Sequence, residues 1–233
     1  MSKNKLAKFA ELENFPNVFQ NFTPLQPALT CCGEKAEMKG RWKELFFRNE
    51  NPVVLELACG KGDYSVNLAR QYPGRNLIGI DVKGNRIWTG ARQALDEGLE
   101  NVAFVRTRIE QLGEFFAPQE IAEIWITFPD PFPRKSRAMK RLTSPRFLDI
   151  YRKVCEPGAR IHLKTDATGL FEYSLEVLAE EGIAPEEVIR DVHGMARVPE
   201  ELQILTYYEK MHLEAKKKIH YLRFRLFPEN SQR

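Results

Sequence analysis

The chain has 233 residues, 43% hydrophobic and 29% charged, with a net charge of +3. That length accommodates one α/β domain with an extension, or two small domains, and buries a core without staples. The apolar runs fall far short of a membrane span and no hydrophobic region follows the Lys-rich start, so neither a membrane protein nor an export signal is expected. Four cysteines, two of them adjacent (Cys31 and Cys32), include no C-x-x-C. This excludes a disulfide framework or a cysteine metal site, and a reducing cytoplasm is the expected location.

Residues 1–50 lack clear periodicity and contain Pro16, Pro24, Pro27, Gly33 and Gly40, so they read as an irregular extension with a short helix near 41–47. From residue 51 strand and helix alternate. The apolar run 52–57 predicts a strand; a turn through Gly60-Lys61-Gly62 and a helix from residue 63 follow. Further strands are predicted over 76–80, 102–105, 121–128 and, after the Pro157-Gly158 break, 160–164. Helices are predicted over 83–97 (closed by Gly98), 145–155 and 168–181. The alternation over 219–226 fits a half-exposed antiparallel strand. Strands spaced by crossover helices imply a doubly wound, mostly parallel α/β sheet, whose ligands lie beyond the carboxyl ends of the strands. Gly60, Asp81, Asp130 and Asp166 all follow strand ends and are expected to converge there.

Gly60 and Gly62 after the first strand, with Asp81 at the end of the second, fit a nucleoside cofactor: the glycines allow a tight turn and the acid accepts from ribose hydroxyls. A dinucleotide fingerprint wants a third glycine where Ser65 stands, and its pyrophosphate would meet Asp63 at the helix N-terminus. S-adenosylmethionine (SAM) has no phosphate and carries a sulfonium, which Glu56 and Asp63 suit. A SAM-dependent methyltransferase is therefore preferred to an oxidoreductase.

The run Phe128-Pro129-Asp130-Pro131-Phe132 ends an apolar strand in one carboxylate held between prolines, which stiffen the loop. Residues 131–148 then carry six Lys or Arg and no acid, and 210–225 carry +5, leaving −8 on the rest. Charge gathered this way is the footprint of a polyanion-binding surface, against the plainer reading of two solvated runs.

Together the loop 54–62, the Pro-Asp-Pro turn with its basic tail, His162-Leu163-Lys164-Thr165-Asp166 and Thr206-Tyr207-Tyr208-Glu209 resemble the bacterial tRNA (guanine-N7-)-methyltransferases over about residues 38–226. The resemblance implies a class I, Rossmann-like methyltransferase domain over 46–233, after an extension over 1–45. It implies a seven-stranded, mostly parallel sheet with an antiparallel C-terminal strand. The reaction implied is transfer of methyl from SAM to N7 of the variable-loop guanosine of tRNA, with no metal. It assigns SAM contacts to Glu56, Asp81 and Asp130 beside the Gly60 and Gly62 loop, and substrate contacts to Arg134, Asp166, Thr206, Tyr207, Tyr208 and Glu209. Asp130 is the central catalytic candidate, and Lys135, Arg137, Lys140 and Arg141 are candidate phosphate contacts. Arg108 stands where the family places an acid, leaving backbone or Glu110 for that contact. A monomer or a homodimer is compatible with all of this.

Taken alone, Asp166 also reads as a helix N-cap, and Thr206 with Glu209 as a capping box. His162 and His220 read as structural. The rival functions are methyl transfer to another acceptor, a non-catalytic RNA-binding module and a dinucleotide-dependent oxidoreductase.

Overall fold

A computed structural model describes residues 3–23 and 25–227, with side chains from Leu6 onward. The last residues of the expected domain, 228–233, lie outside the described residues, as do Pro24 and the first two residues of the Lys-rich start.

The parallel core is laid down where the sequence predicts it. Strands β4 (Val53–Leu57), β5 (Asn76–Asp81), β6 (Val102–Arg106) and β7 (Ile121–Thr127) are joined by helices α2 (Asp63–Gln71), α3 (Gly84–Asp96) and the short α4 (Leu112–Phe115). Helix α5 (Pro145–Arg152) then leads to β8 (Cys155–Thr165), and α6 (Thr168–Glu180) to β9 (Pro185–Ile189). Helix α7 (Tyr207–Glu214) precedes the last strand, β10 (His220–Arg225).

Residues 18–36 supply three further strands where no periodicity pointed to them: β1 (Val18–Gln20), β2 (Leu29–Cys31) and β3 (Glu34–Ala36), after a helix α1 (Lys3–Leu12). Among the described residues the sheet therefore has ten strands, in the order β3-β2-β1-β6-β5-β4-β7-β8-β10-β9, rather than seven. The seven from β6 to β9 in that order carry the expected topology, with β10 antiparallel to both neighbours. Strand β1 joins the β6 edge in parallel, pairing Val18 with Phe104. Trp42 then locks this region to the sheet, its indole N–H donating to Phe115 O at 3.0 Å and its ring stacked on Phe116. The short helix expected near 41–47 is a five-residue π-helical turn, Lys43–Phe47.

Strand alternation explains the layers. Val53, Leu55 and Leu57 pack with α5 and α6 side chains on one face, whereas Val54 packs with α2 and α3 on the other. A parallel sheet buried on both faces needs such uninterrupted apolar runs. The expected break at Pro157-Gly158 is a bulge instead: β8 starts at Cys155, and its register on β7 slips between the Ile121–Cys155 and Glu123–Arg160 pairs. An extra loop of backbone accommodates a proline that cannot donate to the ladder. The switch point lies where β4 neighbours both β5 and β7, and the carboxyl ends of these strands and of β8 open on one side.

Candidate active site

A cleft of about 640 Å³ lies at those carboxyl ends, lined among others by Glu56, Gly60, Asp81, Asp130, Asp166 and Tyr207. Four separate loops after strands thus bring the acids together as the topology predicts.

The floor is built by β4 and the turn after it. Glu56 points into the sheet's carboxyl end with only 2% of its surface exposed. Its Oε2 accepts from Ser65 N (2.7 Å) and Ser65 Oγ (2.6 Å), and its Oε1 from Thr127 Oγ1 (3.1 Å). Burial nonetheless outweighs these donors and pushes the carboxyl up to about 7. Gly62, which precedes α2, has φ +74, and a Cβ there would stand 2.5 Å from Phe104 Cε1, so only glycine fits between loop and sheet. Gly60 also has a positive φ (+58), but a Cβ on it would meet nothing within 4 Å. Its backbone thus faces open space. Asp81 ties the second wall to the first: Oδ2 accepts from Gly60 N (2.9 Å) and Oδ1 from Lys83 N (2.8 Å). Each carboxylate oxygen keeps a further lone pair for a ligand hydroxyl.

Asp130 stands exposed at the opposite wall. The residues flanking its Pro-Asp-Pro turn, Phe128 (φ +48) and Phe132 (φ +42), sit in the left-handed region that non-glycine residues avoid. Both are clamped. Phe128 N donates to Lys164 O at 2.8 Å, and the guanidinium of Arg141 donates twice to Phe132 O, at 3.2 and 3.1 Å. Arg141 is buried and its guanidinium lies 4.2 Å from the Tyr173 ring centroid. Unlike its neighbours Arg134, Lys135, Arg137 and Lys140, which are exposed, it faces inward and braces the loop, so it is not placed to meet a phosphate.

The third wall is the start of α7. Thr206 Oγ1 accepts from Glu209 N at 3.0 Å, one half of the capping box. The other half is absent among the described residues, because the Glu209 side chain turns away from the helix N-terminus. Glu209 and Lys164 are both 0% exposed and form an ion pair at 2.7 Å; Lys164 Nζ also donates to Leu202 O (2.8 Å) and Ile204 O (3.2 Å). His193 Nε2 lies 2.9 Å from the same carboxylate. Glu209 therefore lies behind the cleft wall, whereas Thr206, Tyr207 and Tyr208 line it. Asp63 accepts from Tyr207 N at 3.0 Å, and the Lys61 ammonium lies 3.9 Å from the Tyr207 ring centroid. These bonds couple the wall to the glycine loop.

Asp166 lines the cleft between the second and third walls. It does not cap α6, whose N-cap is Ala167. Its carboxylate receives Lys217 Nζ at 2.7 Å and lies 3.4 Å from His212 Nε2. Arg108 is exposed at the cleft; Glu110 nearby also lines it and lies 3.6 Å from Arg146. His162 is buried, stacked on Trp125 at 3.9 Å and bonded to Tyr221 OH, a structural placement. Sequence reasoning did not find the roles of Lys164 and Arg141. The one available signal was a lysine inside a strand predicted to be buried on both faces. Among the described residues no cluster of three or more His, Cys, Asp or Glu is placed to hold a metal ion.

The residues present fit SAM. Glu56, Asp63 and Asp81 surround the glycine loop with acceptors, and an acid at the first position of α2 opposes a phosphate there. The sheet order is that of a class I methyltransferase. In keeping with this, a family model described as "Putative methyltransferase" matches residues 50–222. The tRNA (guanine-N(7)-)-methyltransferase of Bacteroides fragilis is 43% identical, over 100% of this chain and 89% of its own. That of Porphyromonas gingivalis is 48% identical, over 92% of this chain and 86% of its own. This chain belongs to the tRNA (guanine-N(7)-)-methyltransferase family. Among solved structures, the 16S rRNA methyltransferase KamB superposes with a TM-score of 0.63 over 84% of this chain and 97% of its own, at 18% identity, a likeness of fold alone.

Proposed function

We propose that this chain transfers a methyl group from SAM to N7 of the variable-loop guanosine of tRNA, giving 7-methylguanosine. The observation that carries this reading is the single cleft in which the Gly60 loop and Asp130 face each other, with the basic 134–140 loop beside them. When bound, SAM supplies an electrophilic methyl on a sulfonium.

The chain's own groups do the rest. Glu56 would face the cationic part of the cofactor, Asp81 its ribose hydroxyls, and the Gly60 and Gly62 backbone would allow close approach. Guanine N7 carries an in-plane lone pair, so no residue needs to remove a proton from it. Catalysis then rests on holding N7 in line with the methyl group. Positive charge moves onto the purine as the bond forms, and the Asp130 carboxylate would orient the base and stabilise that charge. Carboxylates also match the N1–H and N2–H₂ donors of guanine, a part that suits Asp130 and Asp166. Tyr207 and Tyr208 offer ring faces and Thr206 a hydroxyl at the wall formed by the start of α7, and Arg134 would meet the substrate from the loop after Asp130. Glu209 contributes from behind, by anchoring that wall through Lys164.

Folded tRNA hides N7 in tertiary contacts, so the base has to swing out to reach the cleft. Lys135, Arg137 and Lys140 would hold phosphates meanwhile, without reading sequence. No helix among the described residues is long and apolar enough to cross a membrane, and work on tRNA fits the cytoplasm.

The test is incubation with radiolabelled SAM and unmodified tRNA, followed by borohydride–aniline cleavage at 7-methylguanosine. Label in tRNA with cleavage in the variable loop is the expected result. Label at another atom, or none, overturns the reading.

A further inference from the structure

Away from the cleft the cations are largely neutralised: Arg70 by Glu97, Arg152 by Glu181, Arg160 and Arg225 by Glu186, Arg190 by Glu172. At the cleft mouth the pattern changes. On the lip formed after β5 and β6, Lys83, Arg86 and Arg108 line the opening, and none has an ion-pair partner among the described residues. Arg86 meets only a ring there, its guanidinium 5.8 Å from the Tyr208 centroid. On the loop after Asp130, of which Lys140 lines the cleft, Arg134, Lys135, Arg137 and Lys140 are equally without acidic partners among the described residues.

Two other cations near the cleft are occupied. Arg141 holds Phe132 O, and Lys217 holds Asp166. Unpaired cations thus flank the opening, although Arg48, Lys153, Arg197, Lys210, Lys216 and Lys218 elsewhere also lack an ion-pair partner among the described residues. Like charges gathered around one opening repel each other, and a polyanion lying between them removes that cost. The cofactor does not account for the first lip, because SAM has no phosphate and its one carboxylate engages at most one of three cations.

We propose that the tRNA backbone straddles the cleft, its phosphates held by Lys83, Arg86 and Arg108 on one lip as well as by the 134–140 loop on the other. This rests on the proposed tRNA reading. The base between the two held stretches is then presented to Asp130 in the cleft. Arg108, exposed at the opening, adds a third cation beside Lys83 and Arg86.

The test uses the full chain and unmodified tRNA, with affinity measured against KCl concentration. In the variant Lys83→Gln/Arg86→Gln/Arg108→Gln, the slope of log affinity against log salt should shrink by about 2, in proportion to three lost phosphate contacts. SAM affinity by calorimetry, measured alongside, should change far less than tRNA affinity at low salt. The charge-keeping variant Lys83→Arg/Arg86→Lys/Arg108→Lys should retain the slope. Should the triple variant fail to fold, the exposed Arg108→Gln alone should lower the slope by roughly 0.7–0.9. An unchanged slope overturns the straddled footprint, and so does a loss confined to SAM affinity. Wild-type protein assayed for N7 methylation in parallel separates this failure from failure of the tRNA reading itself.

Discussion

A carboxyl as enclosed as Glu56 responds to pH in a way that reports its partner. Its folded-state value of about 7 lies above the ordinary carboxylate range, because burial penalises the charge. Between that range and about 7 the folded chain keeps a proton that the unfolded chain has lost, so its stabilising effect is complete at low pH and fades as pH rises. The loss amounts to roughly 3 kcal/mol once pH passes the folded value. A cation bound beside the carboxylate favours the ionised form, so cofactor binding should release a proton. SAM affinity should therefore rise by up to about tenfold per pH unit below 7 and level off above. Calorimetry from about pH 6 to 8 checks this, and Glu56→Gln should flatten the dependence. A flat wild-type profile would remove Glu56 from the cofactor's charge.

Lys164 and Glu209 make a second prediction at the same scale. Lys164→Met leaves a carboxylate buried without its ammonium and should cost about 3–5 kcal/mol in urea unfolding. Replacing both partners by apolar groups of similar volume should cost far less, since the desolvation of both charges disappears. Equal losses in the single and double variants would show that packing, not the pair, holds the 202–209 segment.

Among the elements, the loop from Phe128 to Phe132 depends most on its supports. Two left-handed phenylalanines persist there because Lys164 O and Arg141 hold the adjoining backbone. Arg141→Lys keeps the charge but loses the forked donor pair. Turnover should fall on the order of tenfold to a hundredfold through misplacement of Asp130, while SAM affinity stays unchanged. Steady-state kinetics with calorimetry separates the two, and an unaltered turnover would mean that the prolines alone fix the loop.

The elements that sequence displays best are those with a run of apolar residues and a marked end. Residues 52–57, the helix from Asp63 and the 76–81 strand closed by Asp81 all have both. Strands β1, β2 and β3 have three residues each, too short for alternation to show, and they exist because the β6 edge offers a ladder to join. Strand β9 begins with proline and two acids, as suits an edge, and carries no apolar run. The Lys164–Glu209 pair joins residues 45 positions apart, and the inward turn of Arg141 depends on the Phe132 carbonyl. Neither contact has a local pattern from which to read it.

On the scale of the molecule, the switch point decides where everything converges, and charge decides what is admitted. Buried acids occupy the floor, Asp130 the edge, and unpaired cations the two lips. A small net charge is compatible with a polyanionic substrate because unpaired cations flank the mouth while acids elsewhere balance the total. Asp130 is proposed to act on the base held between these lips. Single-turnover methyl transfer by Asp130→Asn, measured beside SAM affinity, tests it most directly. A drop in rate on the order of a hundredfold or more is expected, with SAM affinity largely intact; a wild-type rate would contradict this role.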